Sequence, residues 1–169
     1  IWIDGTKREF TSVHVAEECG IEMVYQELNM MLDSSIAENI FVGNLPGKVG
    51  FVDYKTLYQN TEKILNEIGL AVSPKEKARS LNSGQLQMLA IMRALRKNPR
   101  IIVMDEPTSA LSDTEVDLLM GFLNNLRKRG ISCIFITHKL DEIFRIADRV
   151  VVMRDGQFIS SNSVARVQQ

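Results

Sequence analysis

The chain has 169 residues, of which 45 % are hydrophobic and 24 % charged, and its net charge is −1. That length buries one core and reads as one domain with room for a subdomain, and near-neutral charge argues against a surface built to hold nucleic acid. No apolar run is long enough to cross a bilayer as a helix, and Cys19 and Cys133 stand too far apart for a metal-ligand spacing, so they read as small buried thiols.

In chain order, IWIDGTKREF alternates about Asp4-Gly5 as a hairpin does. TSVHVAEECG reads as a short helix closed by Gly20 with His14 exposed, and IEMVY as a strand whose end carries Gln26. Residues 27–98 change character and read as mostly helical. A Gly- and Pro-containing loop is expected at 43–50. A helix follows with Leu57, Ile64, Leu65 and Ile68 at helical spacing, stopped by Gly69. QLQMLAIMRALRKN is apolar almost all round, which predicts a buried helix.

From Ile101 strands and helices alternate. IIVM reads as a parallel strand buried on both faces. The next helix has Ser112 and Glu115 in capping-box spacing, a stripe of Val116, Leu119, Leu123 and Leu126, and a stop at Gly130. ISCIFIT is a strand ending at His138, and KLDEIFRIAD is a helix with Leu140, Ile143, Phe144 and Ala147 on one face. VVVMRDGQFI is a hairpin on Asp155-Gly156, and 161–169 has no clear pattern and is expected to be a loose tail. The pattern predicts an α/β fold, with a core from 1–26 and 99–160 and a mainly helical block at 27–98.

Polar residues then fall at three strand ends: Gln26, the adjacent Asp105 and Glu106, and His138. Parallel α/β sheets bind ligands at that edge. The groups suit phosphoryl chemistry, in which one carboxylate positions Mg²⁺, a second orients or deprotonates water, and an amide and an imidazole contact metal, water and phosphate. SLNSGQLQM adds a small-residue turn running into a helix, whose N–H groups and dipole suit an anion.

Together these motifs make residues 1–159 resemble the second half of an ATP-binding-cassette (ABC) ATPase, with the Gln loop, the signature LNSGQ, the acidic strand end DEPTSALS and the His loop FITHKLDE in that family's order. VYQELNMMLDSSIAENIFVG and DEPTSALSDTEV resemble in particular the members that power bacterial import of monosaccharides such as ribose, galactose and xylose. The resemblance implies a P-loop NTPase core with a helical subdomain, ATP and Mg²⁺ as ligands, and activity in a dimer of nucleotide-binding domains. It further implies permease subunits at the cytoplasmic face of the membrane, an indirect sugar-binding protein, and no nucleic acid.

Residue by residue, the resemblance makes Asp105 the Mg²⁺ holder through water, Glu106 the general base and His138 the switch that reaches the γ-phosphate. Gln26 would touch metal and water. Asn82, Ser83, Gly84 and Gln85 would close on the ATP of the opposite subunit, and Ser109 opens the interface loop 109–112. The exposed Met and Leu expected in LNMMLDSSIAENI suit a groove for a permease helix. Two departures bear on the trans contacts. Asn82 and Ser83 replace a serine and a glycine, which is expected to restrict the backbone at Ser83, and Ser112 replaces an aspartate. A third concerns the phosphate cradle. No GxxxxGK[ST] occurs in the chain, which starts at Ile1, so the chain reads as a fragment lacking the N-terminal part with the phosphate-cradling loop. The competing readings are an ABC ATPase of a non-transport class and a non-catalytic docking fragment.

Overall fold

The computed structural model describes residues 1–48 and 50–167. The chain opens with the hairpin β1 (Trp2–Ile3) and β2 (Thr6–Lys7), turning on Asp4 (φ 49°) and Gly5 (φ 73°), the two left-handed residues of a type I′ turn. Helix α1 (Val13–Glu18) is capped by the Ser12 hydroxyl and ends at Gly20, and His14 is exposed. Strand β3 (Ile21–Val24) follows. Helix α2 (Ile36–Ile40) starts in a Ser35/Glu38 capping box, and α3 (Tyr54–Ile68) ends on left-handed Gly69. The signature segment begins α4 (Ser83–Leu95), whose residues 88–92 are all buried.

Strand β6 (Ile101–Asp105), α5 (Asp113–Lys128), β7 (Ser132–Ile136) and α6 (Leu140–Ile146) then alternate. Strands β8 (Arg149–Arg154) and β9 (Gln157–Ser163) form a hairpin on Asp155-Gly156, before the short α7 (Val164–Val167).

The three-stranded sheet is parallel in the order β3-β6-β7. Its register aligns Glu22 with Ile102 and Cys133, and Val24 with Met104 and Phe135. These residues share one face because side chains alternate along a strand. That face meets the helical core of Ile36, Ile40, Leu57, Leu65, Leu89, Ile91, Leu119 and Leu123. Burying each such Leu or Ile contributes about 1.5–3 kcal/mol. The stripe Val116, Leu119, Leu123 and Leu126 is buried as its spacing predicts. Glu22, 6 % exposed, pairs with Lys97 Nζ at 2.9 Å, and Lys97 also reaches Glu17 at 3.0 Å. This ion pair ties α1 and β3 to the end of α4.

Several expectations are corrected. Strand β6 is not buried on both faces: Ile102 and Met104 are covered, while Ile101 and Val103 are half-buried, because the helices pack on one side. On the open side Ile134 is 52 % and Ile136 46 % exposed. Leu140 is not on the packed face of α6, which instead buries Glu142. The loop at 43–50 contributes Gly47–Lys48 (β4), paired with Phe51–Val52 (β5). The tail is ordered further than expected, since β9 runs to Ser163 and Val164 is buried; Gln168 and Gln169 lie outside the described residues. Both thiols are free and half-buried, and burial pushes the Cys133 thiol up.

Candidate functional site

The parallel strands bring their carboxyl ends to one rim. Asp105 closes β6 opposite Ile136, and the Glu106 N–H donates to the Ile136 carbonyl at 2.9 Å, adding one rung to the ladder. Glu106 then turns the chain with φ 44°, a conformation that costs a non-glycine residue on the order of 1 kcal/mol. Strain of this kind persists where surrounding contacts fix it. Here the Ser109 N–H bonds back to the Glu106 carbonyl at 3.2 Å, and the Leu111 N–H to that of Thr108 at 3.2 Å. His138 lies two residues past β7. Its Nδ1 is 2.9 Å from Glu106 Oε1, so a carboxylate and an imidazole from adjacent strand ends form one hydrogen-bonded pair at the surface.

Gln26 stands on the same rim, two residues past Val24, which pairs with Met104. Its side chain is exposed, and among the described residues no hydrogen bond joins it to the Glu106–His138 pair. Asp105 belongs to the more open sheet face, the side of Ile134 and Ile136. Among the described residues no three His, Cys, Asp or Glu side chains gather around one point. Such a rim does not enclose a metal by itself. It fits Mg²⁺, which uses one or two carboxylates together with water and substrate phosphates.

Directly behind the pair is a buried carboxylate that sequence reasoning missed. Glu142, 5 % exposed, accepts from the Thr108 hydroxyl at 2.9 Å and the Thr137 hydroxyl at 3.1 Å, and pairs with Lys139 Nζ at 3.2 Å. In sequence it looks like one of two acids facing water at the start of a helix, where the dipole favours them. The signal available was its spacing to Ile146, one turn on, together with a threonine in each flanking strand-end loop.

The signature residues sit at the start of α4. Asn82 Oδ1 accepts from the Gln85 N–H at 2.7 Å, and Gln85 Oε1 accepts from the Asn82 N–H at 3.1 Å, closing a capping box. The expected restriction at Ser83 does not arise. Ser83 opens the helix in ordinary right-handed backbone, where any L residue fits. A Cβ at Gly84 would stand 2.5 Å from Glu115 Oε2, so any larger residue there must move that carboxylate. Glu115 is the capping-box acid of α5, accepting from the Ser112 N–H at 2.9 Å and its hydroxyl at 2.7 Å. The Ser112 N–H and then its hydroxyl hold this carboxyl below the usual range, with Asn82 adding to the effect and burial opposing it. Residues 109–112 therefore end at the capping box whose acid, Glu115, lies beside Gly84 of the signature segment, while Ser109 lies near the rim end of the same loop.

Next to Gln26 is a groove of about 660 Å³ lined by Met23, Tyr25, Leu28, Val42, Arg93 and Lys97. Arg93 of α4 donates to the Asn29 carbonyl at 2.8 Å, and burial lowers its pKa. Met31 and Leu32, as expected, are exposed on the adjoining loop.

Among relatives, the chain is 44 % identical over 161 residues to the xylose import ATP-binding protein XylG of Moorella thermoacetica, covering 95 % of this chain and 32 % of that protein. It is 42 % identical over 165 residues to the galactose/methyl galactoside import ATP-binding protein MglA of Clostridium perfringens, covering 98 % and 32 %. The chain thus spans about a third of the length of these relatives. The fold matches the MJ1267 ATP-binding cassette of an ABC transporter with TM-score 0.75 at 25 % identity, over 90 % of this chain and 65 % of that one. It also matches the MJ0796 cassette bound to ADP and Pi, with TM-score 0.78 at 23 % identity, over 96 % and 72 %. The architecture is accordingly the P-loop NTPase fold of ABC ATPase cassettes. The family model for "ABC transporter" matches residues 1–109, and the chain belongs to that family.

Proposed function

We infer that this chain is part of the ATP-hydrolysing subunit of a bacterial monosaccharide importer. The observation that carries the reading is the Glu106–His138 pair, 2.9 Å apart at the carboxyl edge of the sheet and directly after Asp105. Glu106 is the general base: its carboxylate takes the proton of the attacking water, and His138 holds the carboxylate's orientation and faces the transferred phosphoryl group. Asp105 would hold Mg²⁺, which would supply charge neutralisation for the phosphates. Gln26, exposed on the same rim, would contact the metal and the water.

Asn82, Ser83, Gly84 and Gln85 close on ATP held by a second nucleotide-binding domain, with Ser109 and its loop at that boundary. The groove beside Gln26, with apolar Met23, Leu28 and Val42 beside charged Glu27, Arg93 and Lys97, suits an amphipathic helix of a permease. The relatives named for xylose and galactose import support a monosaccharide as cargo. No GxxxxGK[ST] occurs among these 169 residues, so residues outside them supply the phosphate cradle, and this stretch alone holds ATP weakly.

The test is Glu106→Gln in the full-length protein, which keeps the shape and removes the base. Hydrolysis is expected to fall by about 10²–10⁴-fold with ATP binding retained. Turnover near the wild-type rate would refute the assignment.

A further inference from the structure

Glu142 belongs to none of the roles just given, yet it is the most constrained carboxylate near the rim. It is 5 % exposed, and Thr108, which donates to it, is 1 % exposed. Burying a charge is unfavourable unless it is paired and fully hydrogen-bonded, and an apolar residue of similar volume often serves stability as well. A carboxylate kept at such a point is therefore explained better by geometry than by stability.

The geometry is specific. Thr108 stands two residues after Glu106, and Thr137 immediately precedes His138. Both hydroxyls converge on Glu142 Oε2, at 2.9 and 3.1 Å. Lys139, the residue after His138, pairs with the other oxygen at 3.2 Å and also donates to the Thr108 carbonyl at 3.3 Å. The Lys139 N–H in turn donates to the Thr137 hydroxyl at 3.1 Å. His138 is thus flanked on both sides by residues tied to Glu142, and the loop bearing Glu106 is tied to Glu142 Oε2 through the Thr108 hydroxyl and to Lys139 through the Thr108 carbonyl.

We propose that Glu142 is a positioning residue for hydrolysis: it clamps the loop after β6 to the loop after β7 and so holds His138 at hydrogen-bonding distance from Glu106. This rests on the reading of Glu106 as the base. The carboxylate touches no reacting atom. Without it, the two loops lose the buried carboxylate on which both threonine hydroxyls converge and keep the Lys139 bond to the Thr108 carbonyl, so the 2.9 Å contact at the surface is held less firmly.

The test uses the full-length protein with Glu142→Gln, Thr108→Val and Glu106→Gln made in parallel. Glu142→Gln keeps the volume but replaces one oxygen by a donor and removes the pairing with Lys139. Thr108→Val removes one bond and leaves Thr137 and Lys139 in place. For each variant, steady-state hydrolysis is normalised to the number of sites that bind a non-hydrolysable ATP analogue, so that loss of folded protein does not count. Glu142→Gln is expected to lower kcat per binding site by about 10–100-fold, the range typical of outer-shell partners, with KM for MgATP within about twofold. Thr108→Val is expected to show the same split with a smaller loss. Unchanged kcat per site in both variants overturns the proposal, as does weakened analogue binding with kcat intact. If Glu142→Gln does not fold, Thr108→Val alone decides. Wild-type turnover in Glu106→Gln would instead sink the reading on which the proposal stands, and the two failures are told apart by that third variant.

Discussion

Gly84 offers the sharpest check on the packing between the signature segment and the loop that runs to it. A Cβ built there lies 2.5 Å from Glu115 Oε2 and 2.7 Å from its Cδ, closer than such atoms approach in proteins. Gly84→Ala must therefore displace the Glu115 carboxylate. The displacement breaks the bonds from the Ser112 N–H and hydroxyl, and a lost cap of this kind costs about 1 kcal/mol, or up to 2. Opposing this, alanine is a better helix former than glycine by up to about 1 kcal/mol, less in a first turn. The single variant should be destabilised by about 1 kcal/mol or slightly less. With Glu115→Ala already present the obstacle is gone, and the same change should stabilise by about 0.5 kcal/mol. The assay is a double-mutant cycle from urea midpoints at constant m, with an expected coupling of about 1–2 kcal/mol. A Gly84→Ala effect of the same sign and size in both backgrounds would show that Glu115 does not occupy this space.

Two further outcomes follow from buried and capped groups. Gln87 is 3 % exposed and its Nε2 has no partner among the described residues, so Gln87→Met should raise stability by about 1 kcal/mol in thermal or denaturant unfolding, and a loss of that size would contradict the burial of an unpaired amide. Glu115 is held below its ordinary value of 4.5, so its stabilising contribution is complete above that pH and disappears as pH falls through the lower folded value. The stability gap between the wild type and Glu115→Gln should be about 0.5 kcal/mol at pH 7 in low salt and close at pH 3; a gap as wide at pH 3 would rule out the capping carboxylate as its source.

Much of this was legible in the sequence, for local reasons. The stripe of α5, its Ser112/Glu115 box and the two Asp-Gly hairpins are set by residues three or four positions apart, or by one dipeptide. The rim residues were legible because each directly follows a short apolar strand, and the pairing of Glu106 with His138 was implicit in a parallel sheet. What escaped depends on neighbours distant in sequence. Glu142 is buried by hydroxyls five and thirty-four positions away, so its own helix pattern says solvent. Leu140 looks like part of an apolar face, yet the packed face of α6 is fixed by that same carboxylate. The far end of β9 is Ser160, Ser161, Asn162 and Ser163, which carry no apolar alternation. They are a strand only because their backbone pairs with 149–152 across an irregularity at Val152 and Met153. One-sided burial of β6 likewise depends on which sheet face the helices cover, and a run of four apolar residues is silent on that.

One short stretch, residues 106–112, now connects both halves of the proposed chemistry. It begins at Glu106, held against His138 and strained to φ 44°. It is clamped midway where Thr108 meets Glu142, and it ends where the Ser112 box presses Glu115 against Gly84 at the start of α4. With anchors at its start, middle and end, the stretch has little freedom to deform between them. A shift of the signature segment relative to the rim must therefore either move Glu106 or break one of two identifiable contacts, the Thr108–Glu142 bond or the Glu115–Gly84 packing. Separate substitutions at Thr108 and Gly84 distinguish the two contacts, since each removes one and leaves the other in place.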